Sequence, residues 1–412
     1  MKQYLPLSLY IHIPWCVQKC PYCDFNSHQQ KGEIPEKEYI MHLLADLESD
    51  LDRYAHAING RSLASIFIGG GTPSLFKPEN IGYLLSEVAK KIPFSKDIEI
   101  TMEANPGTVE ANNFSNFTQA GITRISMGIQ SFADDKLIQL GRIHNGQQAK
   151  QAIMLAHNLG GNTLQSFNLD LMHGLPTQSL QQALEDLKQA IALNPPHLSW
   201  YQLTIEPNTA FASRPPILPD DDELWAIFEE GDKLLKAAGY EQYETSAYAK
   251  PGFQCQHNLN YWRFGDYLAI GCGAHGKISD ISNEKIGNII RFSKTKHPRG
   301  YLQGNYRYEE RIIPQDELAF EFFMNRFRLL EPVPKAEFEA FTGLKCQDVE
   351  PQINIALEKG FITDSPQTAS PGAFCPSLPL DMPSLCTLCP SLPPDMPSTP
   401  LSPSCGIFAR PS

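Results

Sequence analysis

The feature that most constrains the fold of this chain is an alternation of short, β-rich apolar runs with longer amphipathic stretches between residues 7 and about 204. Six runs are candidate strands: SLYIHIP (8–14), SIFIGG (65–70), IEITMEA (98–104), ITRISMGI (122–129), LQSFNLDL (164–171) and HLSWYQLT (197–204). The segments 36–56, 78–90, 145–159 and 178–193 have helical spacing of apolar residues. The alternation predicts repeated βα units around a parallel sheet, whose carboxyl-end loops build the functional site.

The count of units argues for an open barrel. A closed eight-stranded barrel needs two further strand–helix units, and residues 205–310 do not show them. Residues 315–363 again have helical spacing. The predicted fold is therefore α/β: a core barrel over 1–210, a barrel extension and connecting region over 211–310, and a small, mostly helical C-terminal domain over 311–364.

The last 48 residues have a different composition. Residues 365–412 contain 12 prolines, 4 cysteines and only three charged residues, and CPSLPLDMPS (375–384) is nearly repeated as CPSLPPDMPS (389–398). Because proline cannot donate a backbone hydrogen bond, the segment is predicted to be a disordered, low-complexity tail. The CxxC formed by Cys386 and Cys389 has no partner pair at zinc-like spacing, which favours an accidental occurrence. A frameshifted reading frame is one origin for such a tail.

Charge and hydropathy exclude several classes of function. The net charge is −12 and no basic block is present, so nucleic acid is not an expected partner. Neither a membrane-spanning apolar stretch nor a signal-type cleavage site is visible in the sequence, so the expected location is the cytoplasm. Clustered cysteines in that reducing compartment bind metal or perform chemistry more often than they form disulfides.

The cysteine cluster follows the first predicted strand directly. Cys16, Cys20 and Cys23 form CxxxCxxC, which places three thiols at the mouth of the barrel. Four cysteines would saturate an iron–sulfur cube or a structural zinc ion, whereas three leave one metal position open. Three buried thiols or an incomplete zinc site are the alternatives.

The run LYIHIPWCVQKCPYCDFNSH resembles the radical S-adenosylmethionine (SAM) superfamily, in the branch of oxygen-independent coproporphyrinogen III oxidases and haem chaperones. The resemblance covers about residues 4–365. It implies that the three cysteines hold a 4Fe-4S cluster and that SAM chelates the fourth iron. It also implies a partial (β/α)6 barrel, open on one side, with room for a porphyrin.

Polar and glycine residues after successive strands match positions that contact SAM in this family. In GGGTP (69–73), the missing Cβ atoms would let a ligand approach the backbone amides, and a tight strand-to-helix turn is the alternative interpretation. The residues matched are Gly70, Gly71, Thr72, Glu103, Gln130, Arg142 and Asp170, and less specifically Tyr10, Tyr22 and Thr204. Glu103 or Asp170 alone could be a helix cap and Arg142 alone a surface ion pair, but their joint placement at successive strand ends favours a site.

A second motif bears on haem. HNLNYW, which begins at His257, resembles the HNxxYW motif of the haem chaperones, and imidazole is a competent axial ligand for haem iron. Cys255 is an alternative ligand and His275 a candidate second one. The alternative interpretation is a histidine and a tryptophan packed in a domain core.

Three functions compete at this point. The first is a haem chaperone that transfers haem to an acceptor protein, with a homodimer and a peripheral membrane contact through the acceptor as further expectations. The second is a radical SAM enzyme that decarboxylates coproporphyrinogen III. Its relatives extend the motif to CxxxCxxCxC, whereas this chain has Phe25, so the motif favours the chaperone and no catalytic residue is assigned. The third is an inactive product of a disrupted gene.

Overall fold

The structure, a computed structural model, describes residues 5–160, 164–282, 285–364 and 373–376. All six predicted runs form strands: β1 Leu7–Ile13, β2 Leu63–Gly70, β3 Phe94–Ala104, β4 Arg124–Gln130, β5 Ser166–His173 and β6 His197–Gln202. Each strand pairs in parallel with the next one along the chain. All seven residues of β1 are buried, as expected for a parallel sheet covered on both faces. The predicted βα barrel is confirmed.

Helices connect these strands and cover the sheet. In chain order they are α1 Glu36–Arg53, α2 Ala55–Ile58, α3 Pro78–Lys91, α4 Thr108–Asn112, α5 Phe114–Gln119, α6 Asp134–Gln139, α7 Gly146–Leu159 and α8 Leu180–Ala192, with a short 3-10 turn at Pro73–Leu75. Capping boxes begin α7 at Asn145 and α8 at Ser179. These caps satisfy amide groups that the first helical turn leaves without intrahelical partners.

Additional strands extend the sheet on both sides of the six. They are β7 Glu241–Glu244, β8 Ala247–Ala249, β9 Asp266–Ile270, β10 His275–Ser282, β11 Lys285–Lys294 and β12 Arg307–Ile312. The strand order is β12-β11-β10-β9-β1-β2-β3-β4-β5-β6-β8-β7. Four helices belong to this region: α9 Ala210–Ser213, α10 Asp221–Ala237, α11 Gln256–Trp262 and α12 Pro298–Tyr301.

The prediction that residues 205–310 lack further strand–helix units needs one correction, which concerns strand β9. It runs parallel to β1 and is preceded by the seven-residue helix α11, so this region does contain one further helix–strand unit. A five-residue strand after so short a helix gives little periodicity for the sequence to show. The barrel still does not close, because β6 pairs on its other edge with the antiparallel strand β8.

The C-terminal region is mostly helical, as predicted. It contains α13 Leu318–Arg326, α14 Lys335–Thr342 and α15 Cys346–Glu358, with a small sheet of β13 Val333–Pro334, β14 Ile362–Asp364 and β15 Ala373–Pro376. Phe322, Phe338 and Ile353 belong to its own apolar core. The larger core extends from Leu7 to Tyr301, across residue 210. The division into domains stays a prediction.

The prediction that the tail is disordered is wrong for residues 373–376, which form strand β15. The other residues of the tail lie outside the described residues. Strand β15 is the middle strand of the small sheet, between β13 and β14. Its first three residues have the amide hydrogens that a strand needs, and only Pro376 does not. Over the described ranges, no helix combines the length and the apolar character that crossing a membrane requires.

Candidate active site at the carboxyl end of the barrel

The structure brings the three cysteines of CxxxCxxC together beyond the carboxyl end of β1. Residues Trp15–Cys16 pair with His28–Gln29, which closes the loop that carries the other two cysteines. Cys16 is buried, and burial raises its pKa to about 11, with Cys23 and Cys20 adding to the rise. Burial also raises the pKa of Cys23. The sulfur atoms therefore lie within electrostatic reach of one another.

The three cysteines of this loop are free thiols. Across the part of the chain that the structure describes, no three His, Cys, Asp or Glu side chains converge closely enough to bind one ion. In a 4Fe-4S cluster each of three thiolates would bind a different iron atom.

His12 holds the cysteine loop against β1, although the sequence interpretation did not single it out. Its Nε2 lies 3.0 Å from the carbonyl oxygen of Asn26, and its Nδ1 lies 2.9 Å from the hydroxyl of Tyr10. Asn26 in turn donates from Nδ2 to the carbonyl oxygens of Cys272 and Lys296 at 2.9 and 2.8 Å. Burial lowers the pKa of His12 to about 4, so the ring is neutral at physiological pH.

The glycine motif packs against the cysteine loop. Three of its amides donate to protein oxygen atoms: Gly70 to Glu103 Oε2 at 3.0 Å, Gly71 to Ile13 O at 2.8 Å and Thr72 to Trp15 O at 2.7 Å. Contact of the motif with SAM stays a prediction. A Cβ atom on Gly71 would lie 2.4 Å from the Trp15 carbonyl oxygen. Glycine is needed here for close contact between two main-chain segments.

Two half-buried carboxyl groups, those of Glu103 and Asp170, face the barrel interior. Burial raises the pKa of Glu103 to about 8, and the nearby charge of Asp170 contributes to the rise. Burial also raises the pKa of Asp170, while hydrogen bonds from Asn168 and Ser126 lower it. Asp170 was expected at the end of the fifth strand and instead lies within β5, three residues before its end. A site with two such carboxyl groups suits a cationic ligand.

Arg142 connects the cysteine loop with the neighbouring strand ends. Its Nη1 lies 3.7 Å from Cys20 Sγ, and its Nη2 donates to Asn105 Oδ1 at 2.7 Å and to the Gly128 carbonyl oxygen at 2.8 Å. Its Nε is buried and has no hydrogen-bond partner among the residues that the structure describes. The positive charge of the half-buried Arg142 suits an anionic group of a ligand, such as a carboxylate.

The remaining predicted residues lie on the same side of the barrel. Gln130, the last residue of β4, has a φ of 66° and accepts a hydrogen bond from Tyr201 at 2.8 Å. The Tyr22 ring packs near Phe211 and faces both Cys20 and Arg142. Thr204 follows β6 and donates to Glu206. The ring of Tyr10 stacks on Phe67 within the barrel.

The HNLNYW segment lies away from this site. It forms α11, and His257 Nδ1 lies 3.0 Å from the hydroxyl of Ser65, near the amino end of β2. The ring packs on Phe67, and only 4% of His257 is exposed. Burial lowers its pKa to about 3. The segment thus closes the amino end of the barrel, opposite the cysteines.

This geometry does not fit the predicted haem ligands. Axial ligation of haem iron requires an accessible ring nitrogen, whereas His257 and Trp262 are both buried at the amino end of the barrel. Cys255 is also buried and its thiol contacts Glu99 at 3.5 Å. His275 lies near His12, on the cysteine side, so it cannot pair with His257 on one haem. Assignment of haem to His257 stays a prediction that the packing does not support.

Three residues of this region were missed by the sequence interpretation. Asn105, which directly follows β3, could have been found by the same strand-end rule that identified Glu103. His12 and Asn168 lie within strands. The search for polar residues after strands could not detect them, because neither residue follows a strand.

Comparison with known proteins defines the family. Residues 10–190 match the radical SAM superfamily, and residues 313–370 match the HemN C-terminal domain. The chain is 67% identical over 360 residues to the haem chaperone HemW of Haemophilus influenzae and 62% identical over 360 residues to HemW of Escherichia coli, covering 87% of this chain and 92% of each relative. The chain belongs to the HemW family of radical SAM proteins.

More distant relatives agree with this membership. HemW of Bacillus subtilis is 31% identical over 364 residues, covering 87% of this chain and 93% of that protein. The solved structure of coproporphyrinogen III oxidase (HemN) from Escherichia coli has a TM-score of 0.73 and 21% identity, covering 91% of this chain and 87% of that one. At that identity the likeness shows a shared fold alone. This HemW family member therefore has the radical SAM fold, and the family implies a 4Fe-4S cluster and SAM.

Proposed function

We propose that this protein is a haem chaperone that binds haem, a 4Fe-4S cluster and SAM, and that transfers haem to an acceptor protein. The observation that carries the proposal is the identity of 67% and 62%, over 360 residues, with proteins named haem chaperone HemW. Phe25, which stands where the oxidases of the branch have a further cysteine, also favours a chaperone. Contact with a membrane through the acceptor, formation of a homodimer and a cytoplasmic location belong to the same proposal.

The residues at the carboxyl end of the barrel fit the two cofactors. Cys16, Cys20 and Cys23 would hold three irons of the cluster, and SAM bound at the fourth would supply radical chemistry after one-electron reduction. The guanidinium charge of Arg142 suits the carboxylate of SAM. Glu103 and Asp170 suit its positive charges, because burial, with a contribution from the charge of Asp170, raises the pKa of Glu103 and a cation would oppose that rise.

An anaerobic haem titration of the cluster-loaded protein tests the proposal. Haem binding should be saturable and visible as a shift of the Soret band, and haem should then move to an apo-acceptor. Coproporphyrinogen III should release no carbon dioxide when the protein is supplied with SAM and a reductant. Absence of saturable binding in a folded, cluster-loaded sample, or release of carbon dioxide, would refute the chaperone proposal.

Replacement of His257 locates the haem. The His257 ring lies at the amino end of the barrel and contacts Ser65, so we expect His257→Ala to retain haem binding. The variant should also lower the free energy of unfolding by about 1–3 kcal/mol, because it loses a buried hydrogen bond and packing contacts. Soret titration and thermal melting measure the two effects separately. Loss of binding in a variant that melts like the wild type would instead place haem at His257.

Binding of SAM should depend on pH through Glu103. Its pKa of about 8 means that the group is mostly protonated at pH 7. A cationic ligand favours the ionised form, so binding should release up to about one proton, and affinity should rise by up to about tenfold per unit from pH 6 to 8. Calorimetry in two buffers of different ionisation enthalpy measures the proton release. Glu103→Gln should abolish both effects, and the idea is wrong if this variant keeps the same pH slope.

A further inference from the structure

A buried asparagine, Asn168, lies directly beside Asp170. The two residues are two positions apart on β5, so their side chains point to the same face of the sheet, here the barrel interior. Only 2% of Asn168 is exposed. Its Nδ2 donates to Asp170 Oδ1 at 2.7 Å and to Ser126 Oγ at 2.8 Å. The Ser126 hydroxyl in turn donates to Asp170 Oδ2 at 3.1 Å, so both carboxyl oxygens are held.

The orientation of the Asn168 amide is determined by the neighbouring strand. The main-chain N–H of Ser199 lies 3.0 Å from Asn168 Oδ1, and a backbone amide can only donate. His197 Nδ1 lies 2.6 Å from the same oxygen, and Tyr243 lies 2.8 Å from the other ring nitrogen. The oxygen of Asn168 must therefore face β6, and its NH₂ group must face Asp170.

Asp170 needs this support because its surroundings otherwise oppose ionisation. Burial raises its pKa, and hydrogen bonds from Asn168 and Ser126 oppose that rise. The ionisable groups that face it from the packed strands are Glu103 on β3, Arg124 on β4 and Tyr201 on β6. Of these, only Arg124 carries a positive charge. A donor on β5 itself holds the carboxylate in one orientation.

We propose that Asn168 is a positioning residue for the SAM site, which acts by holding the Asp170 carboxyl group in one orientation. This inference rests on the proposed function, because it takes Asp170 as a contact of SAM. A hydrogen bond from a buried amide to a carboxylate contributes a net free energy in the range of charge-assisted hydrogen bonds. Asn168→Ala should therefore weaken SAM binding by at least about tenfold. Cluster content should stay at the wild-type level, because Asn168 contacts no cysteine.

Asn168→Asp gives the sharper test, since it has nearly the same shape and removes the donor. At pH 8 its carboxylate repels Asp170, and SAM affinity should fall by at least about tenfold. Two adjacent carboxyl groups favour the uptake of one shared proton as the pH falls, so at pH 6 the new group should donate more often and affinity should partly recover. The wild type should show the opposite slope, because Glu103 favours binding at high pH. A merely structural role would not reverse this slope.

The measurements are the dissociation constant of SAM by equilibrium binding at pH 6 and 8, iron content, and thermal melting. Asn116→Ala, at an exposed position on α5, is the matched control and should bind SAM like the wild type. Unchanged affinity in both Asn168 variants, or equal weakening of Asn168→Asp at both pH values, overturns the inference alone. Failure of the cluster-loaded wild type to bind SAM overturns the proposed cofactor site and this inference together.

Discussion

Gly71→Ala is expected to abolish cluster retention while leaving the barrel folded. The added Cβ atom would lie 2.4 Å from the carbonyl oxygen of Trp15 and 2.9 Å from the carbonyl carbon of Pro14. Contacts below 3.0 Å must be relieved, and both neighbours are main-chain atoms that cannot rotate away. The segment that carries Cys16 must therefore move. Because a displacement of about 1 Å at a site can cost on the order of 100-fold in function, a three-thiol site should not survive it.

Iron and sulfide analysis after anaerobic reconstitution measures this effect, and circular dichroism checks the fold. We expect Gly71→Ala to retain as little iron as Cys16→Ser. Gly82→Ala on α3 is the matched control, because its Cβ would meet Ala120 at an ordinary 3.4 Å. Alanine there should favour the helix by up to about 1 kcal/mol. A full iron content in Gly71→Ala would show that the cysteine loop can shift without losing the cluster. Close packing between the glycine motif and the segment that carries Cys16 would then be unnecessary for cluster binding.

The strands of the barrel could be predicted from the sequence because burial on both faces leaves near-continuous apolar runs, such as LSLYIHI in β1. Placement at strand ends, together with the family resemblance, singled out Glu103 and Gln130, which lie at the carboxyl ends of β3 and β4. It failed where the informative contact is between strands. Asn168 looks like any polar residue in a strand until the neighbouring Ser199 amide fixes its orientation.

For the HNLNYW segment, the sequence suggests a function that the packing in the structure does not support. Its histidine and aromatic residues have the chemistry that a haem site needs, and composition alone cannot distinguish a ligand from a packed core residue. The structure places His257 against Ser65 and Asn260 against Ser8, both in the amino-terminal parts of barrel strands. A Cβ on Gly265 would lie 1.8 Å from Asn260 Oδ1, so the turn after α11 is also built around this segment. That arrangement depends on the placement of β9 beside β1, which the sequence did not reveal.

A buried ion cluster behind the cysteine loop has the largest expected effect on stability. Lys294 on β11 pairs with Asp46 and Asp50 of α1, and Arg307 also pairs with Asp50. Both carboxyl groups are fully buried. Asp46 also accepts from the Tyr301 hydroxyl at 2.6 Å and from the Gly271 amide at 3.2 Å. This ion cluster thus connects α1 with the end of β9 and with the antiparallel strands that extend the sheet.

Lys294→Met should lower the free energy of unfolding by about 3–5 kcal/mol, because it leaves two buried carboxylates with only Arg307 to balance them. Lys236→Met, which removes a half-exposed pair with Asp232, should change it by less than about 1 kcal/mol. Denaturant unfolding of both variants measures the difference.

The pH dependence of the Lys294 effect separates lost charge balance from lost packing. Even with Lys294 present, burial raises the pKa of Asp50 to about 6, above its ordinary value of 3.8. Removing the cation raises this pKa further, so the folded variant binds a proton more tightly than the unfolded chain does. A carboxyl group with a raised pKa in the folded state makes stability fall as pH rises. The deficit of Lys294→Met should therefore be larger at pH 8 than at pH 5, and an equal deficit at both values would attribute it to packing.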